Sequence, residues 1–303
     1  VTLDDDEIMA VCGSQEGIAH VCFPFAGPND LILVPDPGYP IFSFGPLMAG
    51  ATVALYPLKE ENNWLLDFAD IPEDIADRAK AMGGSYPNNP TTAVADRAFY
   101  ERLVTFAREH NIIVIHDNAY SDLLLNGEQG LSFLSIPGAK EVGIEFNSLS
   151  KTYNLTGMRV SFALGNREVI NKFRAFRSQI DYGMFYPIQA GAVAALTGPQ
   201  DIVARNREGY MARRDALCGG LRSIGWDVPD AQGTMFVWAK IPDRFASSVD
   251  FVVELMEKTG VIVVPGSAFG AQGEGYVRFA LVVPPERMAE AVRRIDQSGI
   301  LKG

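Results

Sequence analysis

The 303-residue chain carries 26 Lys and Arg against 37 Asp and Glu, a net charge of -11, and is 48% hydrophobic and 21% charged. That balance argues against a nucleic-acid or anionic-membrane surface, because both partners are polyanions. Cys12, Cys22 and Cys218 are odd in number and show no C-x-x-C spacing, which fits the reduced thiols of a cytoplasmic protein rather than a disulfide framework or a zinc site.

The opening VTLDDDEIMAVCG is acidic where a secretory signal would be basic, and it lacks an initiator Met, as a processed or incomplete chain would. Thereafter short β-branched runs alternate with longer helical patterns, which predicts an α/β protein with a largely parallel sheet. A strand over Glu7 to Cys12 leads through Gly13 into a helix from Ser14. A second strand, Asp30 to Val34, runs into the turn PDPGYP, followed by an apolar helix and a strand over Thr52 to Tyr56. YPNNPTT follows a further strand. Asp96 to His110 is a helix with Phe99, Leu103 and Phe106 on one face. It feeds the apolar strand Ile112 to Ile115. Val142 to Phe146 and Val160 to Leu164 are strands on either side of NSLSKTYNLTGMR. No apolar run reaches the ~18 residues of a membrane span.

Near Asp181 to Pro187 the grammar changes. Long helices are predicted over Pro187 to Leu196 and Gln200 to Ile224. A smaller unit follows: strand Met235 to Lys240, helix Val249 to Lys258, strands Val261 to Val264 and Tyr276 to Val283, helix Glu286 to Gln297. At about 150 residues per domain, this predicts two domains, a large one over 1–190 and, over 191–303, long connecting helices with a small C-terminal domain.

There is no G-x-G-x-x-G after a strand, no P-loop, no H-E-x-x-H and no G-x-S-x-G. The three His, at 20, 110 and 116, have no ligand-like spacing, so no metal site is expected. What remains are polar residues at strand ends, where ligands of open α/β sheets bind. Asp117 follows one apolar strand, with Tyr120 three residues on. Ser148, Ser150 and Lys151 follow the next, and Arg159 lies eight residues beyond Lys151. Gly13 and Ser14 stand between strand and helix, where free N–H groups favour an anion. Asn88 and Asn89 sit in the YPNNPTT turn. Singly, each has an ordinary reading. Lys is usually solvated, Asp after a strand usually caps a helix, and Asn-Pro is commonly a turn. Arg278 within a strand would usually pair with an edge carboxylate. His116 reads as structural and Cys12 and Cys22 as packing.

Together, GSQEG, PDPGYP, YPNNPT, DNAY, SLSKTYNLTGMR and YVRFAL run over nearly the whole chain and resemble the class I/II aminotransferases, the pyridoxal-phosphate enzymes of fold type I. Within them IEFNSLSKTYNLTGMR and GPQDIV look most like the LL-diaminopimelate aminotransferase group. The resemblance implies a large domain with a mostly parallel sheet sandwiched by helices, a smaller C-terminal α+β domain, and a homodimer acting on an amino acid and a 2-oxo acid, of LL-diaminopimelate or aspartate/alanine type. It implies that Lys151 carries the cofactor aldehyde and shuttles the α-proton. Asp117 would keep the pyridine nitrogen protonated, and Tyr120 and Asn89 would bond the phenolic oxygen. Ser14, Gln15, Ser148 and Arg159 would hold the phosphate and Tyr39 would stack on the ring. Arg278, with Asn89, would meet the substrate carboxylate. Relatives carry Gly where Thr92 stands and often Lys where Gln15 stands. The family pattern also begins with a segment upstream of Val1, without which weak turnover and self-association are expected. A C–S lyase or racemase on the same fold, or a silent binding protein, are the competing readings.

Overall fold

The computed structural model describes residues 1–302. Seven strands form one sheet: β1 (Ile8–Val11), β2 (Leu31–Asp36), β3 (Thr52–Pro57), β4 (Ala79–Ser85), β5 (Ile113–Asp117), β6 (Gly143–Ser148) and β7 (Ser161–Gly165), in the order β1-β7-β6-β5-β4-β2-β3. The pairs from β3 across to β6 are parallel, and β7 runs against both its neighbours, β6 and β1.

Both faces of this sheet are covered, which is why its central strands read as apolar runs rather than alternating ones. On one face Phe99, Tyr100 and Leu103 of the helix Arg97–Glu109 pack with Leu33, Met82 and Val114. That helix starts where Asp96 Oδ1 accepts from the Phe99 N–H at 2.7 Å, an N-cap worth about 1 kcal/mol. On the other face Ile18 of Ser14–Val21, Phe42 of Ile41–Met48 and Phe173 of Arg167–Arg177 pack with Ile32, Ala81, Ile115 and Phe146. β4 reads AKAMGGS, poor in β-formers, because small residues are needed there. A side chain at Gly83 would collide with the Phe42 ring, and Gly83 O accepts the Tyr56 hydroxyl at 2.6 Å.

A second sheet of β8 (Phe236–Lys240), β9 (Val264–Pro265) and β10 (Tyr276–Ala280) is antiparallel in the order β8-β10-β9. Its core, with Trp226, Phe251, Leu255, Phe279 and Ile295, takes in Leu217 and Leu221 from the helix Asp201–Ser223. Ala119, Tyr120 and Leu123, just after β5, belong to the same core. Tyr120 meets Phe236 edge-on at 6.1 Å. This shared packing seats the small sheet over the carboxyl ends of the large one.

The strand expected over Val261 to Val264 is corrected: only Val264 and Pro265 pair, opposite Arg278 and Val277. Gly260 ends the preceding helix in the left-handed region and Thr259 Oγ1 accepts the Val261 N–H at 3.0 Å, so the chain reaches the sheet edge three residues late. The last strand likewise stops at Ala280, short of Val283. The helix Arg167–Arg177 was not expected. Asn166 caps it at the Glu168 and Val169 N–H groups, and Val169, Ile170 and Phe173 bury one face. Among the described residues no helix is long and apolar enough to cross a membrane.

Candidate active site

β1, β2, β4, β5 and β6 all end at one edge of the large sheet, and the segments that leave them converge on a cavity of about 360 Å³. Ser14, Gln15, Tyr39, Asn89, Asp117, Tyr120, Ser148, Lys151, Arg159 and Arg278 all line it. All ten residues to which the resemblance gives a role are therefore brought together, and Ser150 lines the cavity with them. Ser85, Ala119, Thr156 and Phe236 line it as well without having been foreseen, although Ser85 could have been suspected as the last residue before YPNNPTT.

One wall is an anion cradle. The helix Ser14–Val21 points its N-terminus here, and its first N–H groups lack helical partners. Gly13 has φ 99°, and any side chain on it would strike the Arg159 guanidinium, so only Gly lets Arg159 lie across the turn. Arg159 itself is left-handed, φ 56°, with Nη1 donating to Thr156 O at 2.9 Å. The hydroxyls of Ser14, Ser161 and Ser148 form a chain, Ser14 Oγ to Ser161 Oγ at 3.3 Å and Ser161 Oγ to Ser148 Oγ at 2.8 Å.

The floor holds Asp117. Burial first, and then the Glu145 charge, push its carboxyl up to about 7, while the Ala119 N–H and the Lys151 charge pull the other way. Its Oδ1 is buried with no hydrogen-bond partner, an expensive arrangement that a cation at that oxygen would relieve. Lys151, half-buried on the short helix Leu149–Thr152, is lowered by burial and by the Arg159 charge, with Asp117 opposing. Tyr120 is raised by burial and by Asp117. Tyr39 is raised for the same reasons, and its hydroxyl donates to Gln15 Oε1 at 2.8 Å.

The roof comes from the small sheet. Arg278 Nη1 donates to Asn89 Oδ1 at 2.7 Å, and its guanidinium lies over the rings of Phe236 at 4.0 Å and Phe269 at 4.6 Å. Among the described residues it has no carboxylate partner, against the usual expectation for an Arg in a strand, and its Nε is buried and unpaired. Aromatic faces thus hold at the cavity wall a charged fork that no carboxylate of the described residues neutralises. Asn88, by contrast, builds the turn. Its Oδ1 accepts from the Thr91 N–H and hydroxyl at 3.2 and 2.9 Å, and its Nδ2 donates to Ser85 O at 3.2 Å. Thr92, in place of the usual Gly, takes φ 66° and is buried, a left-handed conformation that costs a β-branched residue about 1–2 kcal/mol.

Comparison with known proteins agrees with this geometry. The family model "Aminotransferase class I and II" matches residues 1–295. The chain is 47% identical to the LL-diaminopimelate aminotransferase of Halothermothrix orenii, over 98% of its own length and 76% of that protein's. It is 47% identical to the enzyme of the same name from Moorella thermoacetica, over 95% and 74%. Substrate-bound BacF from Bacillus subtilis superposes with a TM-score of 0.95 at 39% identity, covering 98% of this chain and 76% of that one.

Proposed function

From the premise that this chain belongs to the class I and II aminotransferases and is a transaminase, we propose that its cavity binds pyridoxal 5′-phosphate and that its amino donor is LL-diaminopimelate. The observation that carries the cofactor reading is Asp117 Oδ1, a buried and unpartnered carboxylate oxygen in the same cavity as Lys151 and an anion cradle. Those three fit a ring cation, an aldehyde and a phosphate. When bound, the cofactor supplies an electron sink for the electron pair of the amino acid's Cα–H bond.

The chain's residues do the rest. Lys151 Nζ, partly desolvated and so nearer neutrality, would hold the cofactor through its aldehyde and would move the proton at the substrate Cα. Asp117 would hold a proton on the pyridine nitrogen. Asn89 Nδ2 and the Tyr120 hydroxyl would donate to the phenolic oxygen, and Tyr39 would pack on the ring face. Ser14, the Gln15 N–H, Ser148 and Arg159 would hold the phosphate. Arg278 would offer its guanidinium to the substrate α-carboxylate, with Asn89 orienting the fork through Nη1.

The donor is taken from the relatives that share 47% identity. The exposed apolar residues Tyr182, Phe185, Tyr186, Val193 and Leu196 support a homodimer, and the three free thiols support a cytoplasmic setting. The two sheets support a division near residue 190, with 1–190 as the cofactor domain and its Ala119, Tyr120 and Leu123 packed into the small sheet's core.

Borohydride reduction of the pyridoxal-phosphate-loaded protein followed by peptide mapping tests the site, and the pyridoxyl group is expected on Lys151. Half-reactions with a panel of amino acids, LL-diaminopimelate, aspartate and alanine among them, test the donor. A label on another lysine sinks the site assignment, and a faster half-reaction with a different acid sinks the donor.

A further inference from the structure

Behind the cavity floor lies a carboxylate that the proposed chemistry does not use. Glu145 stands on β6, register-paired with His116 of β5, and both residues are 1% exposed. Its Oε1 accepts from Asn118 Nδ2 at 3.0 Å and from Ser132 Oγ at 3.0 Å. Its Oε2 accepts from the Phe133 N–H at 2.7 Å, with His116 Nδ1 3.4 Å away. Donors converging on both oxygens offset the cost of burying the group.

The two β5-side residues that meet Glu145, His116 and Asn118, are the ones that flank Asp117 in the chain. Successive side chains of a strand point to opposite faces, so the Asn118 bond to Glu145 and the His116 ring packed beside it, both behind the floor, leave 117 directed forward. Asp117 lines the cavity and its Oδ1 has no partner. His116 is held at its far side by the Tyr100 hydroxyl 3.2 Å from Nε2, while its buried Nδ1 makes no hydrogen bond. The Glu145 charge also acts through space, as the largest influence after burial on the raised Asp117 carboxyl.

We infer that Glu145 is a positioning residue for the cofactor ring. By bonding Asn118 and packing against His116 it aims Asp117 Oδ1 into the cavity, and its charge behind Asp117 strengthens the site's preference for a protonated ring nitrogen. This rests on the pyridoxal-phosphate reading above. A plain sheet staple would hold the fold together without touching that preference.

The experiment titrates apo protein with pyridoxal phosphate and with 1-deaza-pyridoxal phosphate, in which carbon replaces the ring nitrogen, and follows tryptophan fluorescence. The parent binds the nitrogen-containing ring more tightly. Glu145→Gln keeps the side chain's size and removes its charge. It is expected to narrow that preference about tenfold, the equivalent of one pKa unit, while the deaza affinity changes much less. Asn118→Ala keeps the charge and severs one grip, and decides the matter if Glu145→Gln does not fold. It is expected to narrow the preference about threefold. Variants that weaken both ligands by one common factor, or leave the preference at the parent's value, overturn the inference. A parent that binds neither ligand overturns the cofactor reading beneath it, and this inference with it.

Discussion

The seven-stranded sheet opens on a cavity at each of its ends, and the larger one has the more ordinary charges. At the end where β4, β5 and β6 begin, about 720 Å³ is lined by Lys80, Lys172, Glu141 and Glu168 among others. Its cations are exposed and paired, Lys80 with Asp30 at 3.0 Å and Lys172 with Glu168 at 2.7 Å, and each pairing draws the carboxyl below its ordinary value. At the end where those strands finish, the cavity has half the volume and its titrating groups move the other way. Asp117 rises and Lys151 falls, both towards neutrality, because burial is incompletely repaid. Volume is therefore a poor guide to a site. Desolvated charge without a partner is a better one, since an acid or base poised near pH 7 needs that imbalance.

The comparison breaks first at Lys151. Lys151→Ala is expected to lower the transamination rate by about 10⁴-fold or more, measured in single turnovers. A variant near the parent's rate would return Lys151 to the class of solvated lysines seen at the other end.

Asp117→Ala is expected to cost on the order of 10³-fold in kcat, ~4 kcal/mol, with the protein still folded. The same residue sharpens the comparison through pH. Its folded pKa of about 7 lies above its ordinary 3.8, so the apo protein has this group's full stability at low pH and loses it as pH rises through about 7. Asp117→Asn removes the dependence. Apo Asp117→Asn is therefore expected to match the parent near pH 4 and to exceed it above pH 7 by up to about 4 kcal/mol, read by urea denaturation. A stability gap that does not change with pH would show that Asp117 is not strained towards neutrality.

Arg278→Lys keeps the charge and loses the fork that Phe236, Phe269 and Asn89 hold in place. KM for donor and acceptor acids should rise about 10- to 100-fold, 1.5–3 kcal/mol, with kcat changing less. The smallest effect belongs to the larger cavity. Lys172→Ala should move stability by less than about 0.5 kcal/mol and leave turnover unchanged, as is usual for an exposed i,i+4 pair. A clear loss of activity there would end the contrast.

Much of the site was legible because its residues sit in short contiguous segments directly after apolar strands. Asp117 after Ile112 to Ile115, and Ser148 and Lys151 after Val142 to Phe146, could be found by asking what a parallel strand delivers at its carboxyl end. Thr92 was visible as a departure, and its φ of 66° is what that departure costs. Less legible were groups whose role depends on a neighbour far away in the chain. Phe236 and Phe269 look like core residues until the guanidinium of Arg278 lies between them. Glu145 looks like a stray charge in a strand until Asn118, Ser132 and Phe133 close on it. Which of two adjacent amides faces the cavity, Asn89 rather than Asn88, follows from the path of the turn.

The sequence alone determined the α/β class and most of the elements, because periodicity, caps and strand-end position are local properties, and its motifs pointed to ten residues that the fold brings to one cavity. It misjudged Val261 to Val264, where an apolar β-branched run leaves a helix through Gly260 and a Thr259 cap instead of pairing, and it missed Arg167–Arg177, whose largely polar exterior hid a narrow buried face. Tertiary structure alone decided that β7 runs antiparallel, that the small sheet packs on Tyr120, and that Asp117 is left buried and unpaired. Those outcomes depend on which surfaces exclude water together, and desolvation is a property of the assembled neighbourhood that no stretch of chain carries by itself.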